Sequence, residues 1–147
     1  IIGRGTKVDT VKNSIGQNNL TNCKLLPYQP DNMISHSLAA ADLNVVLVED
    51  IIAFVSIPSK IYNLMAVGSP IISLSSQASE ISKMVNYYGN GCNFESNDYE
   101  GLASFIVRMK NSPDELAKYK SKSLLASKEF TSANARRFLV DYLNVNE

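Results

Sequence analysis

The sequence is poor in the features that would identify several common classes of protein. Across 147 residues, 14 Lys+Arg balance 14 Asp+Glu, and the formal net charge is +0. A nucleic-acid binder usually carries a basic stripe, and nothing in this balance supplies one. Histidine occurs once, at His36, and cysteine twice, at Cys23 and Cys92, far apart and without a CxxC partner. That set builds no recognisable zinc site, and the cysteines read as buried, reduced thiols of a cytosolic protein. No apolar run approaches the ~20 residues of a membrane span. Charged residues make up only 19% against 45% hydrophobic, which excludes a disordered chain. An initial methionine is also missing, and the chain opens inside an apolar run, Ile1-Ile2, directly before Gly3. This resembles a strand cut partway, so the expectation is a fragment of a longer protein whose residues 1–147 form one domain.

What is present is an alternation of short apolar runs with helical spacing. Ile1-Ile2 ends a strand, and Gly3-Arg4-Gly5 turns out of it. Val8, Val11 and Ile15 recur at helical spacing over about Thr6 to Ile15. Lys24-Leu25-Leu26 reads as a short strand stopped by Pro27 and Pro30. Asp31 is placed to N-cap a helix with Ile34, Leu38 and Ala41 inward. Leu43 to Val48, rich in valine, predicts a strand buried on both faces. Pro58 suits a first helical position, and Gly68 stops that helix after Val67. Ile71 to Leu74 is the next buried strand. Ser79-Glu80 open a helix with Ile81, Met84 and Val85 inward, closed near Tyr87-Tyr88. Cys92 to Phe94 is a strand, and Asp98 to Met109 predicts a helix burying Leu102, Phe105, Ile106 and Met109. Ser112-Pro113-Asp114-Glu115 has the form of a capping box, and a last helix from Thr131 carries Phe138, Leu139 and Tyr142. The pattern predicts an α/β, Rossmann-like three-layer domain: a parallel sheet with helices on both faces, and ligands at the strands' carboxyl ends.

Three strand ends are candidate sites: Gly3 to Gly5, Pro27 to Pro30, and Glu49 to Lys60. Gly3-Arg4-Gly5 sits where a dinucleotide loop would, but Val8 replaces the third glycine and no acid follows the second strand. It is either a tight turn without ligand or a ligand edge. The segment from Ser56 to Pro70 carries more. With Pro58 first in the helix, Ile57 falls at the N-cap and has no acceptor to offer. The amides of Ser59, Lys60 and Ile61 are then free, and with the helix dipole and the Lys60 charge they form an anion seat. Asn63 shares a helical face with Ser59 and Lys60, while Ile61, Leu64 and Met65 can face the core. The competing reading is a core helix with a solvated start and Lys60 as surface charge. His36 falls off its helix's apolar face and reads as a surface residue. Glu80 is either dipole-stabilised or near a ligand, and Glu49-Asp50 reads as a solvated pair.

The stretch Pro58-Ser59-Lys60-Ile61-Tyr62-Asn63-Leu64-Met65-Ala66-Val67-Gly68-Ser69-Pro70-Ile71-Ile72 resembles the signature of family-4 retaining glycosyltransferases of the GT-B fold. It is most similar to the bacterial branch with Pro-Ser-Lys-Leu/Ile-Tyr before Met-Ala-x-Gly-x-Pro. Ile1 to Gly5, Leu38-Ala39-Ala40-Ala41-Asp42, Ser79-Glu80-Ile81, Gly91, and Asp98 to Leu102-Ala103 resemble further pieces of that family in the same order.

The resemblance implies the C-terminal, nucleotide-sugar-binding half of a two-domain enzyme. Its catalytic histidine and acceptor site lie in the absent N-terminal half. Ser59, Lys60 and Ile61 would hold the donor phosphates, and Asn63 would meet the ribose. Pro27, Tyr28 and Gln29 would lie against the base. Gly3, Arg4, Gly5, Ser56 and Glu80 would edge the cleft. No metal and no cofactor is implied. Asn63 and Val55 stand where the family usually has glutamates, so either other groups such as Ser56 or Glu49 grip the sugar or the donor site is degraded. The implied work is retaining transfer from a nucleoside-diphosphate sugar to a lipid-linked or saccharide acceptor in bacterial surface-polysaccharide assembly. The implied partners are the nucleotide sugar, that acceptor and the missing N-terminal domain. The implied place is the cytoplasm, peripheral to the inner membrane through that domain. The alternatives are a non-catalytic pseudo-transferase module and a hexose epimerase of the same fold.

Overall fold

Ile71-Ile72-Ser73-Leu74 has no alternation of polar and apolar side chains, and in the computed structural model it forms the central strand of a parallel sheet. The structure describes residues 1–48 and 56–143. The chain divides into two units, Ile1–Ser37 and Leu38–Glu147.

In the first unit the two expected strands reduce to one parallel bridge between Ile2 and Leu26. Leu26 N–H donates to the Ile1 carbonyl at 2.8 Å, and Gly3 N–H donates to the Leu26 carbonyl at 3.4 Å. Pro27 has no N–H with which to extend the pairing. Helix α1, Val8–Gln17, starts two residues after the position that spacing suggests and runs two residues longer. Its stripe of Val8, Val11 and Ile15 is half-buried as the period predicts. Asp31 caps no helix. It opens a 3-10 turn, Asp31–Met33, whose side-chain cap is absent. Its carboxylate instead accepts from the Tyr28 hydroxyl at 3.4 Å. Helix α2, Ile34–Ala39, follows directly and ends short of Ala41.

In the second unit the described strands are β1 (Asn44–Leu47), β2 (Ile71–Leu74) and β3 (Gly91–Phe94), ordered β1-β2-β3 and all parallel. Asn44 pairs with Ile71, and Ile71 with Gly91. Gly91 is required by that approach, because a Cβ there would collide with the Ile71 carbonyl. The intervening helices are α3 (Lys60–Ala66) and α4 (Glu80–Tyr88), followed by α5 (Tyr99–Asn111), α6 (Pro113–Ser127) and α7 (Ala133–Leu143).

Two apolar clusters lie on opposite faces of the sheet. Val46, Ile61, Leu64, Met65, Ile81, Val85 and Ala126 close one side, through α3, α4 and α6. Ile72, Phe94, Phe105 and Met109 close the other, through α5. The expected fold class therefore holds. Strand β1 departs from expectation: Val46 is 2% exposed, but Leu47 is 62% exposed. Val45 and Leu47 pair with Ile72 and Leu74, on the α5 side of the sheet. There α5 packs Phe105 and Met109 against Ile72 of β2 and Phe94 of β3, while Val45 and Leu47 of β1 stay exposed. The central strand is thus the most fully buried of the three, and β3 is buried on both faces only at its end, at Asn93 and Phe94.

Local stop and start signals behave unevenly. Gly68 ends α3 at φ +71, and Gly89 ends α4 at φ +56. Ser79 accepts from Ser82 N–H and Asp98 from Gly101 N–H, as N-caps do. The capping box at Ser112 does not form. Pro113 is the first residue of α6, but the Ser112 side chain caps nothing. Glu115 reaches instead to Arg108 on α5, at 3.5 Å. Ile106, expected inside, is exposed, while Phe105 and Met109 are buried. Phe138, Leu139 and Tyr142 of α7 are exposed.

Candidate functional site

The parallel order fixes which end of the sheet each helix start occupies. Ser69, just past α3, accepts from Asn44 Nδ2 at 2.7 Å, at the first residue of β1. The end of α3 therefore lies at the amino edge of the strands, and its start lies at the carboxyl edge, where open α/β sheets bind ligands.

The helix begins later than Pro58. Ser59 is the N-cap, in a helical conformation and with no side-chain cap bond. Pro58 and Ser59 form a preceding turn: Ile61 N–H donates to the Pro58 carbonyl at 3.0 Å and Tyr62 N–H to the Ser59 carbonyl at 3.2 Å. The amide of Ile61 is thus engaged, and its side chain is 0% exposed in the core. The amides of Ser59 and Lys60 have no acceptor among the described residues. Ile57, which sequence placed at the cap, is half-buried and packs on the core. Ser56, Ser59, Lys60 and Asn63 are all exposed. The chain thus turns Ile61, Leu64 and Met65 inward and leaves one ammonium, two amides and a carboxamide outward at the carboxyl edge. Val55 and the Glu49-Asp50 pair lie outside the described residues.

Glu80, the first residue of α4, is also at the carboxyl edge. Its carboxylate is 2.6 Å from Lys83 Nζ one turn on, which neutralises it locally. Beneath it lies a buried polar network that sequence reading missed. Asn93 Oδ1 accepts from Ser73 at 2.6 Å and from Ser75 at 2.8 Å. Ser75 and Ser79 hydroxyls are 2.8 Å apart. This ties the turn from β2 to α4 onto β3. The available signal was the serine at an inward position of a buried strand, Ser73, facing another polar residue in the next strand.

In the first unit, the Gly3-Arg4-Gly5 turn and the Pro27–Gln29 loop come together. The Arg4 guanidinium lies 4.6 Å from the Tyr28 ring centroid. Gln29 Nε2 donates back to the Pro27 carbonyl at 2.8 Å. Tyr28 remains exposed, with one face taken by Arg4. A Cβ at Gly3 or Gly5 would meet nothing within 4 Å, but Gly5 at φ +147 holds a backbone conformation that L side chains rarely adopt.

Several groups stand apart from these sets. His36 is exposed on α2. Cys23 and Cys92 are free and half-buried rather than buried. Burial pushes the Cys92 thiol and the Tyr119 phenol up. Among the described residues no group of three His, Cys, Asp or Glu could hold a metal, and no helix is long and apolar enough to cross a membrane.

No family model matches the chain. The probable glycosyltransferase WbjE of Pseudomonas aeruginosa is 31% identical over 105 residues, which is 71% of this chain and 26% of that protein. The chain therefore spans about a quarter of the length of that relative. The crystal structure of HepE from Anabaena, in complex with UDP, matches with a TM-score of 0.75 and 20% identity. That match covers 95% of this chain and 37% of the HepE chain, and it establishes the Rossmann-like fold.

Proposed function

We propose that this chain is the donor-nucleotide-binding part of a glycosyltransferase that uses a nucleoside-diphosphate sugar. The observation that carries the reading is Lys60. It is an exposed ammonium at the carboxyl edge of a sheet whose fold, in HepE, occurs in a protein solved with UDP. The likeness to WbjE supports the transferase class.

In this reading Lys60 and the amides of Ser59 and Lys60 meet the diphosphate. They stabilise the negative charge that grows on it as the sugar bond breaks. A charge-assisted contact to phosphate is shorter and stronger than a neutral one, so Lys60 contributes most. Asn63, on the same helical face, meets the ribose. The remaining contribution is positioning, which turns transfer into a unimolecular event. The finer reading is a family-4 retaining GT-B enzyme of the Pro-Ser-Lys branch, acting without a metal on a lipid-linked acceptor. It is supported by the ordered motifs from Pro58 to Ile72.

Calorimetry of the intact protein with uridine, guanosine and adenosine diphosphates tests the seat. Lys60→Ala should weaken the preferred nucleotide roughly tenfold, as expected for one charge-assisted contact. An unchanged affinity would place the phosphates elsewhere.

A further inference from the structure

The outer edge of β1 is open. Asn44 N–H donates to the Pro70 carbonyl and Val48 N–H to the Leu74 carbonyl, each at 3.1 Å. These bonds fix the phase of the ladder: Asn44, Val46 and Val48 turn their backbone groups towards β2, and the alternate residues turn theirs away. The N–H and C=O groups of Val45 and Leu47 therefore face outward, and none of the four has a partner among the described residues. The same two residues carry their side chains to the α5 side of the sheet, where they are 47% and 62% exposed. Leu43 and Leu74, half-buried on that side, extend the apolar strip. An edge that stays in water is ordinarily blunted by lysine, proline or a bulge. Asn44-Val45-Val46-Leu47 has none of these and pairs with β2 residue for residue.

We propose that the outer edge of β1 is a docking surface for a strand and its crossover helix, supplied by the same polypeptide from outside residues 1–147. The strand pairs in parallel with the backbone of Val45 and Leu47, and the helix closes over their side chains. The inference is independent of the phosphate seat. Three observations choose this occupant. First, both described pairings are parallel, and parallel sheets carry helices over both faces, so a unit that extends the sheet here must bring a helix. A second copy does not meet that need: paired edge to edge about a twofold axis, it would run antiparallel and add its own exposed Val45 and Leu47 to the same face. Second, the described pairing in the first unit is the single Ile2–Leu26 bridge, too short for a four-residue edge. Third, the chain accounts for 26% of WbjE and 37% of the HepE chain, so proteins of this kind have ample length for a crossover of a dozen or more residues.

The test uses the intact protein. Hydrogen exchange read by mass spectrometry should show the Val45 and Leu47 amides exchanging roughly a hundredfold or more slower than unstructured amides. Benzoylphenylalanine in place of Leu47 should crosslink, on illumination, to residues of the same chain outside 1–147. Leu47→Asp should lower the Tm by about 5 °C or more, because it would bury an unpaired charge, while Leu47→Met should hold it. If Leu47→Asp fails to fold, the exchange measurement needs no variant and decides alone. Fast exchange at Val45 and Leu47 overturns the proposal, as does an unchanged Tm in Leu47→Asp. A crosslink of doubled mass assigns the edge to a second copy and overturns it too. So do crosslinks confined to residues 1–147, or none.

Discussion

Asn93 and Ser75 are bonded to each other twice. The Ser75 hydroxyl donates to Asn93 Oδ1 at 2.8 Å, and Asn93 Nδ2 donates back to the Ser75 carbonyl at 3.0 Å. Asn93 is on β3, and Ser75 is the first residue after β2. With Ser73 also donating to Oδ1, one carboxamide satisfies two hydroxyls and a carbonyl that burial would otherwise strand.

Asn93→Leu keeps the branching and the number of side-chain heavy atoms and removes all three bonds. Its unfolding free energy in urea should fall by about 3 kcal/mol, since each buried polar group left unpaired costs 1–3 kcal/mol. A loss below about 1 kcal/mol would mean that the serines find other partners.

Asn90 presents the opposite case. Its side chain is 0% exposed, and neither Nδ2 nor Oδ1 has a hydrogen-bond partner among the described residues. Desolvating an unpaired amide is unfavourable, so Asn90→Leu should be neutral or stabilising by about 1 kcal/mol. Urea unfolding decides it, and a clear destabilisation would show that the carboxamide is satisfied in solution.

Tyr88 makes stability fall at high pH. Burial first, and then the hydrogen bond to Glu129, raises its phenol from 10.0 to about 12. The folded state favours the neutral ring, so this stabilisation is complete below pH 10 and disappears as pH rises towards 12. Tyr88→Phe removes the titration. The stability difference between wild type and Tyr88→Phe should therefore shrink over that window, as followed by chemical unfolding. A constant difference would mean that Tyr88 titrates normally.

Asn63 tests whether the site turns over. A carboxylate accepts ribose hydroxyls more strongly than an amide, so Asn63→Glu should tighten UDP about threefold. Sugar transfer by wild type would then support an enzyme adapted to Asn63. Tighter binding without transfer in either form would favour a binding module, and weaker binding would move the ribose away from Asn63.

The residue order alone was enough to place β2, β3 and the helices that flank them. A buried strand, a 3.6-residue stripe, Ser79 at a helix start and Gly68 as a stop act within a few residues, so they can be read locally. The exposed face of Ser59, Lys60 and Asn63 follows from the same periodicity, once Ile61, Leu64 and Met65 are seen to be the buried side. Other features depend on which element lies over which. β1 keeps Val45 and Leu47 exposed because α5 sets Phe105 and Met109 on Ile72 and Phe94 of the other two strands. Glu115 leaves its own cap for Arg108 because α5 brings a cation within reach. Helix α3 starts at Lys60 because Pro58 and Ser59 close a turn first. Asn93 beneath the β2–α4 turn and Phe130 beside Tyr62 are joined to their partners only through space. No local pattern encodes a contact between residues so far apart, since packing the folded chain is what brings them together.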